Sequence, residues 1–229
     1  MGLEVSAPVI TEAAYAHNVT NEGGVYGTYR LLKNVVGLWI VQQCRATWES
    51  AGQAYSYDQL TVEAENAEPF RSLIDPDDPV FLPPGDMPAR IREFCRRTHQ
   101  PEPQTIGQTI RAIFESLALK YRAVLDCLVD LAGRRVDTLH IIGGGARNRL
   151  LCQMAANATG REVVAGPFEA TALGNGLVQL IALGELENLA QARRLLSATQ
   201  DLTRYEPQAL NIWEEAYQRF CALSEDLQS

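Results

Sequence analysis

Residues 138–183 read TLHIIGGGARNRLLCQMAANATGREVVAGPFEATALGNGLVQLIAL, and this stretch decides the fold. A short apolar run predicts a buried strand over 138–142, and the segment beyond the three glycines predicts a helix over 148–158. A second apolar run predicts a strand over 162–165, and an alanine- and glycine-rich segment predicts a helix over 169–183. Strands that alternate with helices indicate an α/β fold, in which helices cover a parallel or mixed sheet.

The sequence on either side of this stretch predicts further helices and one irregular segment. The clearest apolar periodicity runs over 105–132, where Gly133 acts as a stop signal, and such a helix would be about 40 Å long. Asp86 is a suitable N-cap for a helix that follows it. The other predicted elements are β structure over 1–30, helices over 26–48 (starting at Tyr26 or Thr28), 56–68, 88–97, 188–197 and 209–227, and an irregular proline-rich segment over 70–87.

The composition excludes several classes of function. The 229 residues include 20 Lys and Arg and 28 Asp and Glu, which gives a net charge of −8, and 46% of them are apolar. This apolar share is sufficient for a large core, and the acidic balance argues against a nucleic-acid surface. No apolar run approaches the ~20 residues that span a membrane. The five cysteines form no CxxC pair, which is typical of reduced thiols, so we expect a cytoplasmic protein.

Three consecutive glycines at 143–145 follow the first predicted strand and precede a helix. A turn of this kind lets a ligand approach the backbone, and the free amides of the helix start favour a phosphate. The Walker pattern fails because Ala-Arg-Asn follows at 146–148, and the dinucleotide pattern lacks its third glycine, so a Rossmann site is weakly supported. The residues alone leave a plain strand-to-helix turn equally open.

Three other groups of residues favour structural roles over chemical ones. The small residues of segment 165–176 predict a helix that packs closely on a sheet, with direct ligand contact as the less favoured alternative. The acidic residues Asp75, Asp77 and Asp78 lack the ligand pattern of a calcium loop and indicate a solvated, proline-stiffened surface loop. His140 has no partner at metal-ligand spacing and is interpreted as a core or sheet histidine. We expect no metal site built by this chain alone.

The stretch LHIIGGGARNRLLCQMAANATGREVVAGPFEATALGNGLVQLIALG closely resembles the C-terminal lobe of the FGGY carbohydrate kinases. Two upstream stretches, NVTNEGGVYGTYRLLKNVVGLWIVQQC and IDPDDPVFLPPGDMPARI, resemble the rhamnulokinase branch of that family. The resemblance extends over about residues 1–207. It implies an actin-like, ribonuclease H-like fold of two lobes with MgATP in the cleft between them. It also implies a phosphotransferase that moves the γ-phosphoryl group of ATP to a sugar hydroxyl, here the 1-hydroxyl of L-rhamnulose.

The same resemblance assigns ligand contacts to individual residues. The resemblance assigns nucleotide binding to Gly144 and to its neighbours Gly143, Gly145 and Asn148. It assigns the same role to Gln42. Asn34 matches a substrate-binding position on the sugar side. If both residues lie on the helix predicted there, a spacing of eight places Asn34 and Gln42 on one broad side, about 12 Å apart. Without the resemblance, both would be interpreted as solvated polar positions.

The family's catalytic Asp, its phosphate-binding loop and a phosphate-contacting Thr would all lie upstream of residue 1. The resemblance therefore implies that residues 1–229 form the C-terminal nucleotide-binding lobe, without the N-terminal sugar-binding lobe and without the first strands of the sheet. We expect no catalytic residue in this chain, no kinase activity from it alone and at most weak nucleotide affinity. Its partners would be nucleotide, sugar and the N-terminal lobe, and an exposed sheet edge would favour homo-oligomers.

Alternatives to a rhamnulose kinase stay open at this level. One is a non-catalytic actin-like module that binds a nucleotide or a protein partner. Another is a kinase of a different ketose, such as fuculose or xylulose, because most sugar-selecting residues would lie outside residues 1–229. A Rossmann-type NAD protein is the third and least supported alternative.

Overall fold

Two three-stranded sheets and a set of helices make up residues 1–226, the part of the chain that the computed structural model describes. The strands are β1 (Gly2–Val5), β2 (Thr20–Gly23), β3 (Tyr29–Leu32), β4 (Thr138–Ile141), β5 (Glu162–Ala165) and β6 (Thr203–Tyr205). The helices are α1 (Glu12–Ala16), α2 (Trp39–Ser50), α3 (Tyr57–Glu65), α4 (Met87–Arg97), α5 (Ile106–Ala132), α6 (Arg149–Thr159), α7 (Ala170–Ala182), α8 (Leu189–Thr199) and α9 (Leu210–Asp226). Residue 227, where the last predicted helix ends, lies outside the described residues.

The first sheet is antiparallel, with strand order β1-β3-β2. Leu3 of the edge strand β1 pairs with Leu31 of the central strand β3. The buried Leu31 belongs to one apolar cluster with Val124 and Leu128 of α5. β1 lies at an edge of this sheet, where the carbonyl oxygen of Glu4 accepts a hydrogen bond from Arg134 at 3.1 Å. The expected self-association through a sheet edge stays a prediction.

The helix predicted from Tyr26 or Thr28 to about Trp48 is wrong in its first half. Residues 29–32 form the central strand of the first sheet, and the helix begins only at Trp39. The apolar spacing that suggested one helix combines a strand, a loop and a helix. Central-strand pairing on both sides satisfies the backbone of Tyr29–Leu32 and buries Leu31 and Leu32, so tertiary contacts outweigh the local pattern.

The second sheet is mixed, because β4 and β5 are parallel and β5 and β6 are antiparallel. The predicted strands over 138–142 and 162–165 are confirmed, whereas β6 escaped prediction because it is only three residues long. The expected burial of the first of these strands is wrong: β4 pairs with β5 alone, and His140 is exposed. His140 is therefore an edge-strand residue and not a core histidine.

Helix α5 organises the main core, as its periodicity predicted. Thr105 caps its first turn by accepting a hydrogen bond from the Gln108 amide, and Gly133 ends it in the left-handed region at φ 61°. The helix packs against α3, α6 and α9. Large side chains from α2 to α6, from α9 and from the segment between α3 and α4 are buried together in this core: Ile40, Val41, Leu60, Leu73, Phe81, Ile91, Phe94, Ile113, Phe114, Leu117, Leu151 and Phe220.

Helix α7 was predicted to pack closely on a sheet, and the structure shows no such packing among the residues it describes. None of its residues is buried, and a Cβ placed on Gly174 or Gly176 would meet no other atom within 4 Å. The small residues of this helix therefore do not serve close packing on either sheet in the described part of the chain.

A buried carboxylate, Glu115, joins α5 to the segment that follows α3. Its side chain is 1% exposed and accepts hydrogen bonds from Arg111 and from the Phe70 amide, both at 2.8 Å. Arg219 of α9 donates to the Phe70 carbonyl at 3.0 Å. Burial raises the pKa of Glu115 to about 7, although Arg111, the Phe70 amide and Arg219 act in the opposite direction.

This shift predicts a pH dependence of stability. The folded protein holds the Glu115 proton up to about pH 7, whereas the unfolded chain releases it near 4.5, so the contribution of this group to stability decreases as pH rises through that window. Relative to Glu115→Gln, the wild type should therefore gain unfolding free energy as pH falls from 7.5 to 5. Urea unfolding of both proteins at several pH values measures this difference, and a pH-independent difference would contradict the assignment.

Candidate functional site

The glycine turn between β4 and α6 is a 3₁₀ turn over Gly143–Arg147. Gly143 has φ 69°, a left-handed conformation that favours glycine. Its amide donates to the Pro167 carbonyl at 3.2 Å, and the Gly166 amide donates to the Ile141 carbonyl at 2.8 Å. These two bonds hold the loops that follow β4 and β5 side by side, so that residues from both loops share one surface.

Gly144 has a position that the local fold alone does not explain. It is exposed and has no positive φ, and a Cβ placed on it would meet nothing within 4 Å. A side chain at 144 would therefore fit within the chain itself. Open space against bare backbone leaves room for a closely bound ligand, and the nucleotide contact of Gly144 stays a prediction.

Asn148, predicted as the first residue of a helix, caps helix α6 and lies beside the glycine turn. Its side-chain oxygen accepts a hydrogen bond from the Leu151 amide at 2.9 Å. The cap uses the oxygen and leaves the side-chain NH₂ group as a donor for a ligand. Gly143, Gly144, Gly145 and Asn148 thus form one continuous surface at the start of an 11-residue helix, where the dipole favours an anion.

Asn34 lies in a loop and not on the helix that was predicted to carry it. The loop spans residues 33–38, between β3 and α2, and Asn34 lines a polar cavity of about 290 Å³ with Asn18, Thr20, Lys33 and Asp77. The predicted spacing of about 12 Å between Asn34 and Gln42 along one helix is therefore wrong.

Gln42 lies in the first half of α2 and is exposed. Its place on a helix is confirmed, but the continuous helix that was to connect it with Asn34 is interrupted by Gly37 and the loop around it. The structure thus groups the four residues of the glycine turn, puts Asn34 in a polar cavity and leaves Gln42 on a solvent-facing helix surface.

The acidic loop at 75–78 forms an ion cluster and is not the solvated surface loop that was predicted. Lys120 of α5, only 13% exposed, approaches Asp75 at 2.8 Å and Asp77 at 3.1 Å. The second carboxylate oxygen of Asp77 accepts a hydrogen bond from the Val36 amide at 3.0 Å. The cluster therefore anchors the loop that carries Asn34 to the middle of the longest helix.

Lys120 stays charged in this setting. Burial alone would lower its pKa, but the hydrogen bonds and negative charges of Asp75 and Asp77 outweigh burial, and the net pKa is raised. A signal for this cluster was present in the sequence. Lys120 stands three residues after Leu117 and four before Val124, within the apolar stripe of α5, where a lysine requires a partner.

The sequence matches the C-terminal domain of the FGGY family of carbohydrate kinases over residues 1–183. The chain belongs to this family. The FGGY assignment agrees with the resemblance drawn from the glycine turn and from the two upstream stretches.

One FGGY relative is a rhamnulokinase from Bacteroides thetaiotaomicron, which is 52% identical over 220 residues. The match covers 96% of the present chain and 44% of the relative, so the chain spans less than half the length of that kinase. This identity confirms the resemblance to the rhamnulokinase branch and to the C-terminal portion of such kinases.

Two solved FGGY structures from Lactobacillus acidophilus share the fold. A ligand-bound xylulose kinase superposes with a TM-score of 0.72 at 16% identity, over 100% of this chain and 45% of that one. A gluconate kinase gives 0.71 at 17% identity, over 99% and 45% of the two chains. The expected actin-like α/β fold, with helices around a mixed sheet, is confirmed.

Two features are not found in the described residues. No helix within residues 1–226 is long and apolar enough to cross a membrane. Across the same residues, no group of three or more His, Cys, Asp or Glu side chains is placed so that it could hold a metal ion.

Proposed function

We propose that residues 1–229 form the nucleotide-binding lobe of an ATP-dependent sugar kinase that phosphorylates L-rhamnulose at its 1-hydroxyl. The observation that carries the nucleotide assignment is the open space at Gly144, on a turn that precedes an α-helix. The 52% identity to a rhamnulokinase supports rhamnulose over other ketoses. The whole kinase would act in rhamnose catabolism, and its ATP would be used as a magnesium complex.

In this proposal, each part of the site has a distinct role. The turn Gly143–Gly145 lets the nucleotide approach the backbone, and Asn148 offers its side-chain NH₂ group beside it. Gln42 contributes to the same nucleotide site from α2, and Asn34 contacts the sugar from its polar cavity. ATP supplies the transferable phosphoryl group when it is bound.

The catalytic base that accepts the sugar proton is assigned to a part of the kinase outside residues 1–229, and so are the family's phosphate-binding loop and its phosphate-contacting Thr. Phosphoryl transfer relies on positioning and on charge stabilisation from both sides of the cleft. The 229-residue chain would thus bind ligands weakly and transfer no phosphoryl group on its own.

Gly144→Val tests the nucleotide assignment. We expect ADP affinity to fall at least ten-fold, because the isopropyl group would occupy space that the nucleotide needs. The fold should be retained, because a Cβ at this position meets no atom within 4 Å beyond its neighbours in the chain. Isothermal titration calorimetry or NMR titration with ADP up to millimolar concentration provides the measurement.

Gly23→Val is the matched control, because a Cβ there also meets nothing within 4 Å and Gly23 lies in β2, away from the turn. It should leave ADP binding unchanged. Equal ADP affinities for Gly144→Val and the wild type would show that the turn does not contact the nucleotide.

A further inference from the structure

Phe168 is held against the glycine turn by the backbone and yet remains partly open to solvent. It follows Pro167, whose carbonyl accepts a hydrogen bond from the Gly143 amide at 3.2 Å. Its own carbonyl oxygen would lie 3.9 Å from a Cβ on Gly143. The residue is 43% exposed.

The Arg147 guanidinium stands over the Phe168 ring, 4.6 Å from its centroid. Such a cation–π contact restrains the orientation of the ring and covers one of its faces. Because Arg147 ends the 3₁₀ turn and Phe168 follows β5, this contact is a second link between the two loops. With 43% of the residue exposed, part of Phe168 remains accessible beside the turn.

Ile142 adds an apolar surface at the start of the same turn. It is 54% exposed and directly precedes Gly143, and Gly144 next to it leaves the backbone uncovered. An exposed apolar residue is ordinary by itself. A restrained aromatic ring, an exposed isoleucine, an arginine and an uncovered backbone at one turn suit a flat aromatic ligand that carries negative charge.

We propose that Phe168 stacks on the base of the bound nucleotide, with Arg147 as the residue that holds its ring in place. The inference rests on the proposed function and adds to it the residue that distinguishes a nucleotide from a bare phosphate. Stacking on one aromatic ring tolerates different bases, because every base has a π face. Phe168 would therefore set the affinity for nucleotides in general, while the turn and the start of α6 bind the anionic part.

Phe168→Ala tests this role by comparing ADP with inorganic pyrophosphate as probes for the same chain. Loss of one stacking partner should weaken ADP binding about ten-fold and leave pyrophosphate binding unchanged. Phe168→Trp should restore ADP affinity, because it restores an aromatic face. Tyr15→Ala is the matched control, since Tyr15 is an aromatic residue of α1 that is 89% exposed and lies outside the turn.

The outcomes separate the stacking role from the proposed function. If the wild type binds ADP and Gly144→Val weakens it while Phe168→Ala does not, the stacking role is overturned and the nucleotide site stands. Equal losses of ADP and pyrophosphate in Phe168→Ala would also overturn it, because the residue would then only support the turn. If the wild type binds no ADP at millimolar concentration, the proposed function fails and the stacking role fails with it.

Discussion

Lys120→Met should lower the free energy of unfolding by about 3–5 kcal/mol, because it leaves two partly buried carboxylates without their shared cation. Lys120 lies 2.8 Å from Asp75 and 3.1 Å from Asp77, and methionine fills similar volume without charge. Urea unfolding monitored by tryptophan fluorescence measures the change.

Arg135→Met provides the control for removing a cation from an exposed pair. Arg135 lies 2.7 Å from Asp137, but their side chains are 82% and 74% exposed, so the loss should stay below about 1 kcal/mol. Adding Asp75→Asn to Lys120→Met should recover part of the stability, since it removes one of the two carboxylates that Lys120 contacts. If Lys120→Met costs no more than Arg135→Met, the ion cluster does not anchor the acidic loop.

Gly107→Ala should destabilise the protein by about 1–3 kcal/mol, although alanine normally stabilises a helix relative to glycine. Gly107 lies in the first turn of α5, where a Cβ would stand 2.3 Å from the Glu63 carbonyl oxygen of α3. Both groups belong to helix backbones, so the clash can be relieved only by moving α3 away from α5. Thermal unfolding followed by circular dichroism reports the loss.

Gly174→Ala is the matched substitution in a helix with open space. A Cβ on Gly174 meets nothing within 4 Å, so this variant should gain about 0.5–1 kcal/mol from helix propensity. The two glycine-to-alanine changes are thus expected to have opposite signs. A stabilising Gly107→Ala would mean that α3 and α5 are farther apart than the structure places them.

The sequence predicted those parts of the fold whose helix caps, end signals and apolar stripes come from residues close together in the chain. α5 has a side-chain cap at Thr105, a left-handed Gly133 at its end and a continuous apolar stripe, and all three are visible in the sequence. Likewise, Asp86 caps α4 by accepting from the Ala89 amide, as predicted. The glycine turn was located for the same reason, since it lies between a strand and a helix with clear ends.

The errors fall where distant residues decide the structure. β3 is a central strand because β1 and β2 both pair with it, and β1 lies more than 20 residues before it in sequence. The acidic loop is drawn inward by Lys120, which lies 45 residues after Asp75. Apolar spacing and charge counts contain no record of such partners, so the sequence pattern placed Asn34 on a helix and Asp77 in solvent.

The two proposed ligand regions are both connected to helix α5. Lys120 of α5 holds the acidic loop and, through Asp77, the backbone beside Asn34. The same helix packs against α6, which directly follows the glycine turn and its cap Asn148, and Leu117 and Leu151 belong to one buried cluster. In the proposed kinase, this helix, about 40 Å long, would hold the sugar side and the nucleotide side at a fixed separation. Any movement between the lobes of that kinase would therefore leave the separation of these two surfaces unchanged.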